Sequence, residues 1–302
     1  MDLDRFYHIL HREVPGLELR RQEPMSRHTT FRVGGPAALM ALPSGEEELA
    51  AAVRLAIGEG IVPLCVGNGS NLLVDDGGLD AFVIKTVPGM LRLSADGDRI
   101  YAGAGTLLVH LANAAADSGL TGLEFAHGIP GSVGGAVVMN AGAYDGEMKQ
   151  VVESVLVLDE QGEQKWIPAA HCDFSYRHSA FSAGGKIVLG ASFRLTPGDP
   201  AAIRARMAEL MDRRREKQPL EYPSAGSTFK RPAGHFAAAL IDQCGLKGLT
   251  VGGAQVSEKH AGFVINRDGA TCSDILRLME QVRERVYAAA GVELEPEVKY
   301  LR

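Results

Sequence analysis

Hydrophobic and polar positions alternate in two different ways along the chain, and in its first part they predict a β/α pattern. Residues 44–60 carry apolar side chains at helical spacing, and Ser44 and Glu47 near their start have the spacing of a capping box. A second helix, rich in small residues, is predicted at 106–120. The strands predicted around these helices are 31–43, 61–67, 81–86 and 99–105.

The pattern changes at residue 151, where short apolar runs joined by polar turns predict antiparallel strands. These strands are predicted at 151–159, 164–168 and 186–195. A helix bracketed by prolines follows at 196–219 and is the best candidate for a connector between domains. The rest of the chain predicts a shorter α+β unit, with helices at 235–245 and Cys272–Ala290 and strands at 261–266 and 291–301.

Size and composition exclude several classes of protein. A chain of 302 residues exceeds the usual size of one hydrophobic core, so two or more lobes are expected. The 46% hydrophobic content is that of a globular protein, and 36 glycines indicate many tight backbone positions. A net charge of −6 argues against binding to nucleic acid or to an anionic membrane surface.

The cysteines and the start of the chain indicate a cytoplasmic protein. The four cysteines are widely spaced, which favours free thiols in a reducing compartment over a zinc site or a disulfide framework. Residues 1–15 mix acids, bases and histidines and lack the apolar core of a secretion signal. His8 and His11 have no further ligands nearby, so no metal site is predicted. Residues 125–144 are uncharged, but five glycines make them a poor membrane span.

Two glycine loops are the candidate chemistry, "VGNGSNLLV" at 66–74 and "GIPGSVGGAVVMNAG" at 128–142. Neither is a P-loop, and Leu72 stands where a Rossmann fingerprint needs its third glycine. Unobstructed backbone N–H groups can still bind pyrophosphate, although tight turns and close packing remain an equal alternative for either loop alone. No lysine is near the second loop in sequence, so neutral amides are expected to compensate the ligand's charge. The residues suited to this are Gly67, Gly69, Ser70, Asn71, Gly131, Ser132, Gly134 and Gly135.

Further motifs follow the loops in order: "FSYRHSAF", "PSAGSTFKRP", "LIDQCGLKGLTVGGAQVSEKHAGFVIN" and "LEPEVKYL". With "VGNGSNLLV" and "GLEFAHGIPGSVGGAVVMNAGAY", they make the chain resemble the UDP-N-acetylenolpyruvoylglucosamine reductases (MurB) from about Thr30 to its end. The resemblance implies an α+β fold, in which a vanillyl-alcohol-oxidase-like (PCMH-type) FAD-binding domain of two subdomains precedes a C-terminal α+β substrate domain. The implied domains are an N-terminal segment 1–29, an FAD-binding domain 30–198 with subdomains at about 30–98 and 99–198, a connector helix 199–218 and a substrate-binding domain 219–302.

The resemblance also implies an activity. NADPH reduces a noncovalently bound FAD, and the reduced flavin delivers hydride to the enolpyruvyl double bond of a UDP-sugar, giving UDP-N-acetylmuramate for cell-wall synthesis. The protein then has to orient the flavin, stabilise charge and deliver one proton. The implied partners are the UDP-sugar and NADPH, with no obligate protein partner, nucleic acid or membrane.

Three residues match catalytic positions of the family. Arg177 matches an arginine that can grip the substrate carboxylate, where negative charge develops. Ser227 matches the proton donor, and Glu297 matches an acidic catalytic residue. If the last segment is a strand, Glu293 and Glu295 share a face with Glu297, and spacing alone does not choose among the three.

Ligand contacts are implied as well, and lysine suits the diphosphate of the substrate. The implied substrate-binding residues are Tyr176, Lys230, Lys247 and His260. The implied cofactor-binding residues are Gly67, Asn68, Gly69, Ser70, Asn71, Leu72, Gly128, Ile129, Pro130, Gly131, Ser132, Gly134, Gly135, Asn140, Ala141 and Gly142. The segment between Arg177 and Ser227 is too short for the extra tyrosine loop of one subclass, so the chain resembles the shorter subclass.

Two alternatives stay open from the sequence. The same scaffold serves flavin oxidases and dehydrogenases that act on other substrates, and a non-catalytic nucleotide-binding paralogue would keep the glycine loops. The joint presence of Arg177, Ser227 and Glu297 favours the reductase.

Overall fold

The computed structural model describes residues 2–302, which form two compact units. Unit 1 consists of residues 2–21, Leu39–Asn68 and Ala81–Asp212, and unit 2 consists of Gln22–Ala38, Gly69–Asp80 and Arg213–Arg302. Each unit is therefore assembled from three separate stretches of chain. The predicted domains are contiguous in sequence, and their boundaries stay a prediction.

Helices and strands occur in both units. Within residues 2–302 the helices are α1 (Leu3–Glu13), α2 (Glu46–Gly58), α3 (Leu108–Asp117), α4 (Val133–Val138), α5 (Pro200–Lys217), α6 (Ala237–Gln243) and α7 (Cys272–Ala290). The strands are β1 (Glu18–Pro24), β2 (Pro36–Leu42), β3 (Leu64–Val66), β4 (Leu72–Val74), β5 (Leu79–Lys85), β6 (Leu93–Asp96), β7 (Arg99–Gly103), β8 (Leu120–Thr121), β9 (Gly142–Ala143), β10 (Gly146–Glu147), β11 (Val152–Leu158), β12 (Gln164–Pro168), β13 (Ile187–Arg194), β14 (Thr196–Pro197), β15 (Thr250–Val251), β16 (Ala254–Val256), β17 (Val264–Asn266) and β18 (Lys299–Leu301).

The first sheet has the strand order β1-β2-β5-β3. In unit 1, α1 packs on this sheet through Phe6, which meets Phe82 of β5 edge to face with ring centroids 5.0 Å apart. Strands β3 and β5 are parallel, and Val66 lies opposite Lys85. This register places Lys85 beside the start of the first glycine loop.

The second sheet of unit 1 has the order β12-β11-β13-β7-β6, and its neighbouring strands are antiparallel. The antiparallel strands predicted after residue 151 are confirmed as β11, β12 and β13. Leu111 of α3, Val137 of α4 and Val155 of β11 are fully buried in one hydrophobic cluster. The apolar faces of these helices therefore close the core over the sheet; α3 was predicted from its spacing, whereas α4 lies within the second glycine loop and was not.

The start of α2 differs from the prediction. The helix is capped by Gly45, which makes no side-chain hydrogen bond, so the capping box of Ser44 and Glu47 is wrong. Instead, the backbone N–H of Ser44 donates to Glu48 Oε2 at 2.7 Å. Three glutamates in the first turn also interact favourably with the helix dipole.

In unit 2, α7 has the predicted bounds and its predicted apolar face is buried. A capping box of Thr271 and Asp274 starts this helix, and Gly291, at φ 66°, ends it. The strand predicted at 291–301 is reduced to Lys299–Leu301, which pairs in parallel with β4. Pro296 has no N–H to donate, which limits regular pairing of the preceding residues.

Asp76 fixes the start of α7 within unit 2. Its carboxylate accepts from the backbone N–H of Cys272 at 2.7 Å, from that of Ser273 at 2.9 Å and from Ser273 Oγ at 2.8 Å. Asp76→Ala leaves these donors to water, so we expect the free energy of unfolding to fall by about 1–2 kcal/mol. Urea unfolding followed by circular dichroism measures this. Asp80→Ala, at an exposed position nearby, is the control, and an equal effect of both changes would contradict the capping role.

Candidate active site

The first glycine loop begins at the end of β3 and is held on two sides within unit 1. On one side, Lys85 Nζ donates to the carbonyl oxygen of Gly67. On the other, Asn68 Nδ2 donates to the carbonyl oxygen of Pro130 in the second glycine loop at 2.7 Å. The two loops predicted to act together are thus joined directly here.

No lysine is near the second loop in sequence, but the structure places one beside the first loop. The parallel pairing of β3 with β5 brings Lys85 under Gly67, although the two residues are eighteen positions apart in sequence. The Lys85 side chain is buried, with 6% of the residue exposed. This burial lowers the pKa of its ammonium group to about 8.

Gly67 lets the two loops approach closely. A Cβ at this position would lie 2.2 Å from Ser132 Oγ, which only a glycine avoids without a shift. Ser132 is 1% exposed, and its hydroxyl has no hydrogen-bond partner among residues 2–302. A buried hydroxyl of this kind is a ready contact for a ligand oxygen.

The remaining glycines of the second loop have different surroundings. The N–H of Gly134 donates to Ala104 O at 2.9 Å, and a Cβ on it would lie 3.0 Å from Ala104 Cβ. Gly134 therefore serves packing inside unit 1. At Gly135 a Cβ would meet only Ser132 Oγ, at 3.9 Å. Gly135 is therefore the better candidate for contact with a ligand.

The ends of the second loop are attached to the body of unit 1. The N–H of Ile129, which follows Gly128, donates to Ala126 O at 3.0 Å. Ala141 accepts from the N–H of Met148 at 3.0 Å. These contacts fix the direction of the loop at both ends.

Residues 69–72 of the first loop belong to unit 2. Gly69 O accepts from the N–H of Thr30 at 3.2 Å, and Leu72 opens strand β4 next to Ser70 and Asn71. The Asn71 side chain donates to Glu297 O at 3.1 Å. Asn71 thereby holds the backbone of a predicted catalytic residue.

Arg177 lies in a tight turn of unit 1. Ser175 and His178 exchange two backbone hydrogen bonds of 3.1 Å, and Arg177 has a φ of 56°. This left-handed conformation is uncommon for residues other than glycine and is typical of functional turns. The guanidinium lies 5.0 Å from the ring centroid of Tyr176 and donates to Gly142 O at 3.3 Å. The turn and the contact with Gly142, at the start of β9, together fix the direction of the guanidinium.

Asn140 supports this turn. It is fully buried, and its Nδ2 donates to Ser175 O at 3.0 Å and to Glu147 Oε2 at 2.9 Å, while Oδ1 accepts from the N–H of Lys149. Its amide group is therefore engaged by protein atoms. These contacts favour a role in holding the Arg177 turn over direct contact with the cofactor.

Ser227 and Glu297 lie on adjacent segments of unit 2. The N–H of Glu297 donates to Thr228 O at 2.8 Å. The buried Thr228 hydroxyl accepts from the N–H of Val264 at 2.9 Å. Ser227 is exposed, whereas Thr228 beside it is anchored. The structure thus fixes the backbone next to an accessible hydroxyl.

The three glutamates near the end of the chain are not equivalent. Glu293 pairs with Arg283 at 3.3 Å, and Glu295 pairs with Lys230, so the shared face expected from strand spacing is not formed. Both are exposed, whereas Glu297 is half-buried. The structure therefore distinguishes Glu297, which spacing alone did not.

Two other predicted substrate residues, Lys247 and His260, lie near each other within unit 2. Lys247 lies 2.9 Å from Asp242, and the positive charge of Lys247 acts on His260. Burial, with Lys247 and Lys217, lowers the pKa of His260, whose Nδ1 accepts from the N–H of Gly262 at 3.1 Å. His260 is therefore neutral near pH 7, with its proton on Nε2.

The loops of unit 1 fit the diphosphate of the FAD implied by the resemblance. They combine a buried hydroxyl without a partner at Ser132, close approach without side chains at Gly67 and Gly135, and a buried cation at Lys85. Each of these features favours phosphate oxygens. Within residues 2–302 we find no group of His, Cys, Asp or Glu side chains placed to hold a metal ion, and no helix that meets the length and hydropathy of a membrane span.

Sequence models of known families match both parts of the chain. One described as "FAD binding domain" matches residues 37–167, and one described as "UDP-N-acetylenolpyruvoylglucosamine reductase, C-terminal domain" matches residues 218–301. The reductase of that name from Clostridium novyi is 49% identical over 282 residues, covering 93% of this chain and 92% of the relative. The one from Agathobacter rectalis is 49% identical over 301 residues, covering 96% of both.

Solved structures agree. The crystal structure of UDP-N-acetylenolpyruvylglucosamine reductase from Thermus caldophilus matches with a TM-score of 0.81 and 38% identity, over 95% of this chain and 99% of that one. Glucooligosaccharide oxidase from Acremonium strictum, at 13% identity and a TM-score of 0.50, shares the fold alone. The predicted fold class is thereby confirmed. The chain belongs to the UDP-N-acetylenolpyruvoylglucosamine reductase family.

Proposed function

We propose that this protein uses NADPH and FAD to reduce UDP-N-acetylenolpyruvoylglucosamine to UDP-N-acetylmuramate, a precursor of peptidoglycan. The observation that carries this function is 49–50% identity to reductases of that name over at least 91% of either chain. The same relatives favour the reductase over the flavin oxidase or dehydrogenase and over the non-catalytic paralogue.

When bound, FAD supplies the redox chemistry by taking hydride from NADPH and passing it to the terminal carbon of the enolpyruvyl double bond. In unit 1 the residues that would hold its diphosphate are Gly67, Asn68, Ser132 and Gly135. Residues 69–72, which belong to unit 2, stay predicted cofactor contacts. Backbone N–H groups and the free Ser132 hydroxyl are the donors in this assignment.

Arg177 is proposed to bind the enolpyruvyl carboxylate. Arrival of hydride leaves negative charge on the adjacent carbon, which delocalises into this carboxylate. A planar guanidinium can bind both carboxylate oxygens, and its stabilising effect grows as the negative charge develops during hydride transfer. The bracing of the turn by Asn140 and the contact with Gly142 O hold the guanidinium ready for this.

Ser227 is proposed to donate the proton that completes the reduction. A serine hydroxyl is a weak acid, but a carbon carrying this charge is a strong base, so transfer needs a well-placed donor. Ser227 is exposed and flanked by the anchored Thr228, which fits a hydroxyl held toward a substrate. The serine recovers its proton from solvent.

Glu297 is proposed to hydrogen-bond the substrate beside Ser227. It is the half-buried glutamate of its segment, and its backbone is fixed through Thr228 and Asn71. Lys230 and Lys247 are proposed to bind the substrate diphosphate, Tyr176 to contact the substrate, and the neutral His260 to donate a hydrogen bond through Nε2. A mobile ammonium group suits a diphosphate, whereas the neutral imidazole adds direction without charge.

A cytoplasmic location is proposed from the thiols. Cys65, Cys172, Cys244 and Cys272 are not joined in disulfides. Unpaired cysteines are typical of proteins kept in a reducing compartment.

The proposed function is tested by the ratio of NADPH oxidised to UDP-sugar consumed. Purified protein with FAD, given NADPH and the enolpyruvyl UDP-sugar without oxygen, is expected to oxidise one NADPH for each sugar consumed. Mass spectrometry should show a product heavier by two hydrogen atoms. NADPH oxidation that needs oxygen and ignores the sugar would instead identify an oxidase.

A further inference from the structure

Lys85 is a buried cation, and unit 1 places no opposite charge beside its ammonium group. It lies on β5 with 6% of the residue exposed, and its ammonium group donates to Gly67 O. Within residues 2–302 no carboxylate forms an ion pair with it, and the one titratable neighbour that acts on its charge is the Cys65 thiol on β3. On the other side of β5, strand β2 reads PAALMAL and has no titratable side chain.

A lone buried ammonium destabilises a fold, since it loses hydration and gains no opposite charge. Its cost shows in the pKa of Lys85, which burial lowers to about 8 while Cys65 acts in the opposite direction. A buried cation without a carboxylate is therefore expected to serve an anion that comes from outside the chain.

The hydrogen bond to Gly67 also sets the direction of the loop. In a trans peptide the C=O and the following N–H point in opposite directions. Because Gly67 O points at Lys85, the N–H of Asn68 points away from it. The Asn68 side chain is held to Pro130 O at 2.7 Å, so this peptide is fixed on both sides.

We propose that Lys85 is a positioning residue for the FAD diphosphate: it orients the Gly67–Asn68 peptide from behind, and its charge is neutralised by the diphosphate. This role depends on FAD being held by the two glycine loops as proposed above. It gives the loops the positive charge that their own sequences lack.

The first test is the affinity for FAD. It is measured from the quenching of flavin fluorescence when FAD binds to the apoprotein. Lys85→Met removes the charge at similar length, and we expect it to weaken FAD binding roughly 30-fold near pH 7. Lys165→Met, at an exposed lysine of β12 paired with Asp159, is the control and should bind FAD as the wild type does.

The second test is the pH profile of that affinity. Protonated Lys85 favours the diphosphate, so its contribution is complete below about pH 8 and is lost as pH rises above that value. Wild-type affinity should therefore fall by up to about tenfold per pH unit above pH 8. Lys85→Met should lack this fall, and so should Lys85→Arg, because its guanidinium stays charged.

Thermal melting of the FAD-free protein separates this role from a structural one. Lys85→Met removes an unpaired buried charge, so its melting temperature should equal or exceed that of the wild type. Equal FAD affinity of Lys85→Met and wild type near pH 7, or parallel pH profiles, would overturn the proposal. A wild-type protein that binds no FAD would instead contradict the proposed function itself.

Discussion

A Ser227→Ala variant is expected to keep its rate of flavin reduction by NADPH and to lose about 10³-fold in the rate of flavin reoxidation by the UDP-sugar. The hydroxyl is needed only when the substrate carbon takes its proton, so only the second half-reaction should slow. Stopped-flow absorbance of the flavin, recorded without oxygen, measures the two half-reactions separately.

Ser224→Ala is the matched control for this variant. Ser224 lies in the same segment. Its backbone carbonyl oxygen accepts a hydrogen bond from Thr30 Oγ1 at 2.6 Å, and this contact does not involve the Ser224 side chain. Both half-reactions of the control should run at the wild-type rate. If Ser227→Ala slowed both half-reactions equally, its assignment as the proton donor would be refuted.

Arg177→Met is expected to lower the rate of the reaction with the UDP-sugar by about 10²- to 10³-fold. The variant loses the cation that meets the developing charge on the substrate carboxylate. Arg177→Lys should recover only part of this rate, because an ammonium group cannot bind both carboxylate oxygens in one plane. Stopped-flow reoxidation at saturating UDP-sugar, with the affinity for that sugar measured separately, gives both quantities.

Arg99→Met provides the comparison for loss of an arginine in unit 1. Arg99 is an exposed residue of β7 whose Nε lies 2.8 Å from Oε2 of the half-buried Glu153, so its removal should leave both half-reactions unchanged. Slow flavin reduction by NADPH in Arg177→Met would indicate damage to the cofactor site and would contradict the proposed role in binding the carboxylate.

The sequence predicts an element best when its apolar residues are regularly spaced and residues typical of helix or strand ends stand at the limits of that spacing. Helix α7 has the predicted bounds, since its face from Ile275 to Val286 is strictly periodic and Gly291 ends it. The strand predicted after it fails because alternation of Glu293, Glu295 and Glu297 with apolar residues also fits an irregular segment. In the structure Glu293 pairs with Arg283 and Glu295 pairs with Lys230.

Lys85 shows why part of the site could not be read from motifs. Its position beside Gly67 depends on parallel pairing of β3 and β5, and register between strands is a tertiary property. A lysine inside an otherwise apolar strand, "AFVIKT", was the signal that could have pointed to it. The turn that presents Arg177 is similar, because a positive φ at an arginine has no local sequence signature.

The roles of Ser227 and Glu297 were recognisable only through the family motifs. A serine in "SAGSTF" is typical of a turn, and nothing in the segment marks it as an acid. The structure adds that its neighbour Thr228 links two segments of unit 2, which places Ser227 and Glu297 near each other. The contacts within unit 2 therefore support a common site for Ser227 and Glu297, although not the role of either residue.

One anaerobic titration tests the central claim most directly. Purified protein loaded with FAD should show an oxidised flavin spectrum, which one equivalent of NADPH bleaches. Addition of UDP-N-acetylenolpyruvoylglucosamine should then restore the oxidised spectrum without oxygen. A flavin that NADPH bleaches but that only oxygen, and not the UDP-sugar, restores would contradict the reductase.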